Sequence, residues 1–278
     1  MTKTRDQLLA LCLLDDSDLP LDRLALLFAA EHQQLSLDSV AQSLSAIDRL
    51  ANQFLTAFDA VSDEQLVRFL FHQQEFKGNA QNYFSAENSY LNRVLDRKRG
   101  IPITLALVYL SVAERIGLTA EGVSFPGHFL LRFSDAAQQL FDPFSGRTLS
   151  PSDCQTLLRQ TQGPRAELEP QHTATANRRD LMMRLLENLK QCFWQQRTWS
   201  SAELCLDQQR LLRPHQLALN LQLGNIRELR GDIKDVLDEV KTIKTIYAQL
   251  IESSKDSEIG QLAAQRLMAM GHSRKNIH

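Results

Sequence analysis

The sequence predicts an α+β fold, a mixed core set between two helical regions. Three observations carry this expectation. A helix beginning at Gly100-Ile101-Pro102 is apolar on nearly every face. Two strand-like segments follow it before residue 143. Helical periodicity fills the chain ahead of residue 76 and again beyond residue 178.

The first helical region, residues 1–80, is expected to pack on the core as a cap. Pro20 opens its second helix. Between Leu37 and Phe58, the residues Leu37, Val40, Leu44, Ile47, Leu50 and Phe54 share one side, an amphipathic pattern. Ser62 is an N-cap for the next helix, which turns Leu66, Phe69 and Leu70 inward. Leu8 to Leu14 is a short apolar run, but Asp6 precedes it and Asp15, Asp16 and Asp18 follow, with no small-residue cleavage site. It reads as an amphipathic helix of the folded chain rather than a signal peptide.

The core is expected over residues 81–165. Gly78 and Asn79 are turn formers ahead of it. Glu87, Asn88 and Arg93 have two readings: they line a groove, or they cap and brace the loop before the central helix. The basic run Arg93, Arg97, Lys98 and Arg99 is either a solvated helix face or an anion site at a helix end. Pro102 sits near N1, where its missing N–H costs nothing, and Gly117 is a C′ stop. Leu105, Val108, Tyr109, Val112 and Ile116 recur at helical spacing, and Ala106, Leu107, Leu110 and Ala113 fill most other faces. Such a helix is buried on most sides. It is too short, and too polar at Thr104, Ser111, Glu114 and Arg115, to span a membrane.

Gly127 to Phe133 and Gln138 to Asp142 are the expected strands, joined by a hairpin at Ser134 to Ala137. Side chains alternate faces along a strand, so a three- or five-residue loop puts His128 and Asp142 on one face and a four-residue loop separates them. Gly127 allows close approach of another segment or a ligand. Asp142-Pro143-Phe144-Ser145-Gly146 closes the strand with a turn. Ser150 at N-cap, Pro151 at N1 and Asp153 at N3 start a helix holding Cys154, Leu157 and Leu158.

Gly163, Pro164 and Pro170 place a boundary between residues 161 and 177. Residues 178–278 then read as helical and weakly repetitive. A shift of 34 residues sets Leu189 on Leu223, Trp199 on Ile233 and Ala202 on Val236, the length of a tetratricopeptide (TPR) repeat. Phe193 falls on Arg227, a poor match, and Pro214 ends the first unit only. A last helix is expected over residues 257–270. Met182, Met183, Phe193, Trp194 and Trp199 serve packing or a peptide surface.

Thirty-one basic and 33 acidic side chains leave a net charge of −2, which argues against non-specific nucleic-acid binding. The four cysteines (Cys12, Cys154, Cys192, Cys205) show neither zinc-ligand spacing nor a disulfide framework, and fit a reducing cytoplasm. No cofactor or metal is expected.

A buried helix, then a His on a strand, then an Asp on the next strand is the order of a papain- or transglutaminase-type site. There a cysteine at the helix N-terminus is the nucleophile, the His its base, and the Asp orients the imidazole. No cysteine stands at Gly100-Ile101-Pro102-Ile103-Thr104. Asn88 to Leu95, Arg99 to Leu105, Phe125-Pro126-Gly127-His128-Phe129 and Asp142 to Gly146 together resemble the SirB-type bacterial proteins, which have a transglutaminase-like core followed by TPR repeats. The resemblance implies a papain-like core, with His128 and Asp142 at the positions of its His and Asp. It puts the missing cysteine between Pro102 and Thr104.

Three functions are weighed. One is a non-catalytic scaffold that binds a protein partner. Another is a cysteine-less hydrolase or acyltransferase using His128 and Asp142, with Thr104 or water as nucleophile. The third is a regulatory protein, acting through a protein partner rather than on nucleic acid or at a membrane.

Overall fold

Capping residues start the N-terminal helices where the sequence pattern puts them. The computed structural model describes residues 3–133 and 139–230, with Thr245, Ala248, Ile251, Glu252, Gln261, Ala264, Gln265 and Met268 beyond. Helix α1 spans Lys3–Cys12 and α2 spans Leu21–Gln33, entered from Pro20. Helix α3 (Leu37–Ala57) is capped by Ser36, whose hydroxyl accepts from the Ser39 N–H, and buries Val40, Ile47, Leu50 and Phe54. Helix α4 (Asp63–Val67) is capped by Ser62 and runs on into a π-helical turn, Arg68–Gln73.

Strand β1 (Lys77–Gly78) pairs in parallel with β2 (Arg99–Gly100), on either side of α5 (Leu91–Arg97). Helix α6 (Pro102–Ile116) is the central helix. Ile101 is its N-cap, and Gly117 ends it at φ 73°. Twelve of its fifteen residues are buried. It packs against α2, α3, α5 and the sheet. Arg115 ties it to α2 through Asp22 at 2.8 Å and to α3 through Asp48 at 2.5 Å. Asp22 is itself buried, so this pair neutralises a charge that would otherwise be costly.

The sheet differs from the two-strand expectation. Strand β3 (Ala120–Val123), β4 (Leu130–Phe133), β5 (Leu140–Asp142) and β6 (Arg147–Leu149) form an antiparallel meander in that order. β4 begins at Leu130 rather than Gly127, because a turn occupies the residues before it. The expected hairpin loop at 134–137 lies outside the described residues. Leu131 pairs with Phe141, a register that sets Leu130 opposite Asp142. One face of the sheet meets α6, where the Tyr109 and Phe141 rings lie 5.2 Å apart. The other buries Leu130, Leu140 and Leu149 with Val123 and Phe125 against Cys154 and Leu158 of α7 (Pro151–Gln162). Ser150 and Asp153 make the expected capping box on α7.

The chain divides into two compact units, Met1–Asn188 and Leu189–His278. Helix α8 (Arg178–Gln195) begins in the first. Its Arg178 and Arg179 N–H groups donate to the Asp16 carboxylate at 2.9 and 2.8 Å. In the second unit, α9 (Trp199–Leu212) and α10 (Leu217–Arg230) pack together, and Pro214 lies in the turn between them. Glu203 accepts from Arg227 at 2.8 Å and Arg230 at 2.6 Å. Lys190 is buried and donates to Gln209 and Gln222. Trp194 meets Trp199 edge to face. The second TPR-like unit and the helix expected over 257–270 fall largely outside the described residues.

Candidate functional site

Pro102, Ile103 and Thr104 form the first turn of α6 and are all buried. This is the end of the helix where the expected thiol is missing. Thr104 is completely buried, and its hydroxyl donates to the Asn88 carbonyl at 2.5 Å. That bond takes the hydroxyl's one proton into the backbone. The four cysteines are all buried and form no disulfide. Burial pushes the Cys12 thiol up to about 11, and it also raises Cys154 and Cys192. None of these three is an activated thiolate of the kind a helix end produces.

His128 stands at the end of a tight turn rather than within a strand. Its N–H donates to the Phe125 carbonyl at 3.0 Å, and Gly127 has φ 73°. Proline at the second position and a positive-φ glycine at the third are the signature of a type II turn. A Cβ on Gly127 would lie 2.5 Å from Thr161 Cγ2. The close approach expected at this glycine is therefore made by the end of α7.

The His128 imidazole is half-buried, and its Nδ1 is sealed from solvent without a hydrogen-bond partner. Burial lowers its pKa; the Asp142 carboxylate opposes that shift, and Arg184 adds to it. No hydrogen bond joins His128 to Asp142. The buried Asp142 carboxylate instead accepts from the Phe144 N–H at 2.9 Å and the Ser145 hydroxyl at 2.6 Å. The Asp142 carbonyl accepts from the Gly146 N–H at 2.8 Å. Both carboxylate oxygens thus hold the turn after β5, an Asx-type arrangement.

Asn88 is fully buried and braces the loop before α5. Its amide donates to the carbonyls of Asn82 at 2.6 Å and Tyr83 at 3.1 Å, and its side-chain oxygen accepts from Asn79 at 3.0 Å. Glu87 and Arg93 are half-exposed and 4.0 Å apart, and Arg97 reaches Glu87 at 2.8 Å. The structure thus brings His128 and Asp142 into charge range, and it joins the Thr104 hydroxyl to the Asn88 carbonyl.

Three further residues near this cluster escaped the sequence reading. Tyr109 is buried with an unpartnered hydroxyl, and burial together with Asp142 pushes its phenol well above the ordinary value. A phenol on the otherwise apolar face of the helix was the available signal. Tyr83 lies 5.9 Å from the Phe144 ring. Arg184, in α8, donates to Ser124 Oγ at 2.7 Å and the Phe125 carbonyl at 3.0 Å. It lies about sixty residues from these partners, and nothing local in the sequence marks it.

A cavity of about 910 Å³ has no His128 in its lining. Asp63, Glu64, Arg68, His72, Phe141 and Thr148 help to line it. Among the described residues no His, Cys, Asp and Glu side chains cluster in a way that could hold a metal ion. No helix among them is long and apolar enough to cross a membrane.

Residues 37–187 match the family model described as transglutaminase-like superfamily. A UPF0162 protein of Xylella fastidiosa is 33% identical over 267 residues, covering 89% of this chain and 94% of the relative. A UPF0162 protein of Pseudomonas aeruginosa is 36% identical over 171 residues, covering 60% of this chain and 62% of its own length. Human F-box only protein 21 is 33% identical over 141 residues, 47% of this chain and 21% of that protein. No solved structure matches. The matched residues take in α6, His128, Asp142 and Arg184, and the chain belongs to the transglutaminase-like superfamily, among the UPF0162 proteins.

Proposed function

We propose that the chain is a non-catalytic member of its superfamily and acts as a protein-interaction or regulatory scaffold. The observation that carries this reading is the first turn of α6. The position expected to hold a nucleophile is occupied by Pro102, Ile103 and Thr104, and the Thr104 proton is committed to the Asn88 carbonyl. The Asp142 carboxylate, occupied by its own turn, makes no bond that would orient the imidazole. TPR-like spacing around Trp199, Ala202 and Pro214 supports a second partner surface in the residues beyond 188.

A second reading, a cysteine-less hydrolase or acyltransferase, is favoured by one observation. Burial keeps the His128 imidazole neutral, the state a general base for water needs.

The experiment is a quantitative pull-down from native cytosol, comparing the full chain with one ending at Asn188, where the first unit ends. A captured partner is then purified and its affinity measured directly. Retention by the full chain alone assigns binding to the second unit, and equal retention assigns it to the first. Absence of any partner, together with His128-dependent turnover of ester or amide substrates, overturns the scaffold reading in favour of the hydrolase.

A further inference from the structure

Arg184 is a half-buried charge of the first unit. A guanidinium partly withdrawn from water commonly has a carboxylate partner, which offsets part of the desolvation cost. Arg184 forms no ion pair among the described residues. Its Nη1 serves Ser124 Oγ and the Phe125 carbonyl, which anchors the group beside the Phe125–His128 turn. Its Nε and Nη2 make no hydrogen bond among the described residues. The Phe129 ring lies 5.7 Å from the guanidinium carbon. Tyr83 and His128 are both within charge range, and burial holds the Arg184 pKa below its usual value.

His128 presents the matching half. Its Nδ1 is sealed without a partner, and its Nε2 makes no hydrogen bond among the described residues. A neutral imidazole carries its proton on one nitrogen. With the proton on Nε2, the half-buried ring keeps a donor that no described residue takes up.

We propose that the free edge of the Arg184 guanidinium and His128 Nε2, beside the Phe129 ring, bind a single carboxylate, such as a peptide C-terminus or an Asp or Glu side chain presents. This rests on the scaffold reading and names the chemistry of its partner. Two N–H donors of a guanidinium in one plane match the two oxygens of a carboxylate. The charge balance selects a monoanion. Arg184 supplies one positive charge, which a carboxylate matches and a phosphate dianion exceeds.

The test uses the full chain and follows the His128 Cε1–H resonance by NMR. Three probes are titrated: N-acetylalanine for a chain-end carboxylate, N-acetylglutamic acid α-amide for a side-chain carboxylate, and methyl phosphate. At least one carboxylate should saturate with a Kd of roughly 1–10 mM, the strength of one charge-assisted pair, and the tighter of the two identifies the source. Arg184→Gln should weaken that binding at least tenfold. Arg184→Lys keeps a cation near Ser124 and Phe125 but loses the planar fork, and should weaken it at least fivefold with the melting temperature less affected. Linear, non-saturating shifts with both carboxylates overturn the proposal without recourse to any variant. So does methyl phosphate binding more tightly than either, or unchanged affinity in Arg184→Gln. These outcomes are independent of whether a protein partner is captured, so failure of the carboxylate site and failure of the scaffold reading are separable.

Discussion

Replacing Asn88 with Ala removes three hydrogen bonds from a fully buried side chain. Two run from its amide to the Asn82 and Tyr83 carbonyls and one comes from Asn79, so a single side chain closes the loop from 79 to 88 onto itself. At about 1 kcal/mol net per bond, the loss is about 3 kcal/mol. Asn88→Asp should cost more than Asn88→Ala. It keeps an acceptor for Asn79 but turns a buried carboxylate oxygen toward two carbonyls. Urea dependence of hydrogen exchange at the α6 amides is the suitable assay. Both tryptophans lie in the second unit and would report on it instead. The expected result is a lower α6 midpoint with an unchanged slope, and faster proteolysis at the exposed Tyr83-Phe84. A loss below about 1 kcal/mol for Asn88→Ala, or an Asp variant more stable than the Ala variant, refutes the reasoning.

Thr104→Val should destabilise by about 1–2 kcal/mol by removing the donor to the Asn88 carbonyl, and Thr104→Ser should cost less because it keeps that donor; chemical denaturation of the two variants checks this. Gly127→Ala should cost about 2–4 kcal/mol, combining left-handed strain with the Thr161 clash, and adding Thr161→Ala should recover the steric part but leave the backbone part. The folded-state pKa of His128 lies below its unfolded value near 6.5, so the unfolded chain binds the extra proton. Stability should therefore fall as pH drops through about 6.5, and His128→Gln should flatten that slope in melts between about pH 5 and 8. The four buried thiols should react slowly with Ellman's reagent at pH 8 in the native chain and fully after denaturation.

Local signals carried much of the architecture. The ends of α6, the Ser62 and Ser150 caps and the turn after Asp142 each depend on residues within a few positions of one another. An all-round apolar surface was enough to mark α6 as central, since no other environment satisfies it. Strands β3 and β6 were less legible. Ala120-Glu121-Gly122-Val123 has weak strand propensity and becomes a strand by pairing with β4, and Arg147-Thr148-Leu149 is too short to show a period. The start of β4 was read too early because the Phe125–His128 turn takes up residues whose alternation looks extended.

The candidate site divides along the same line. Composition and order place an imidazole and a carboxylate after a buried helix and leave that helix without a thiol. Whether the Asp142 carboxylate faces the imidazole or its own turn is decided by competition between nearby donors, and the Phe144 N–H and Ser145 hydroxyl hold it. The Arg184 guanidinium reaches the His128 turn only because α8 folds back on the first unit across some sixty residues. Neighbouring residues fix backbone conformation and periodicity. Charge partners are set by packing between distant segments, and only the tertiary structure brings those segments together.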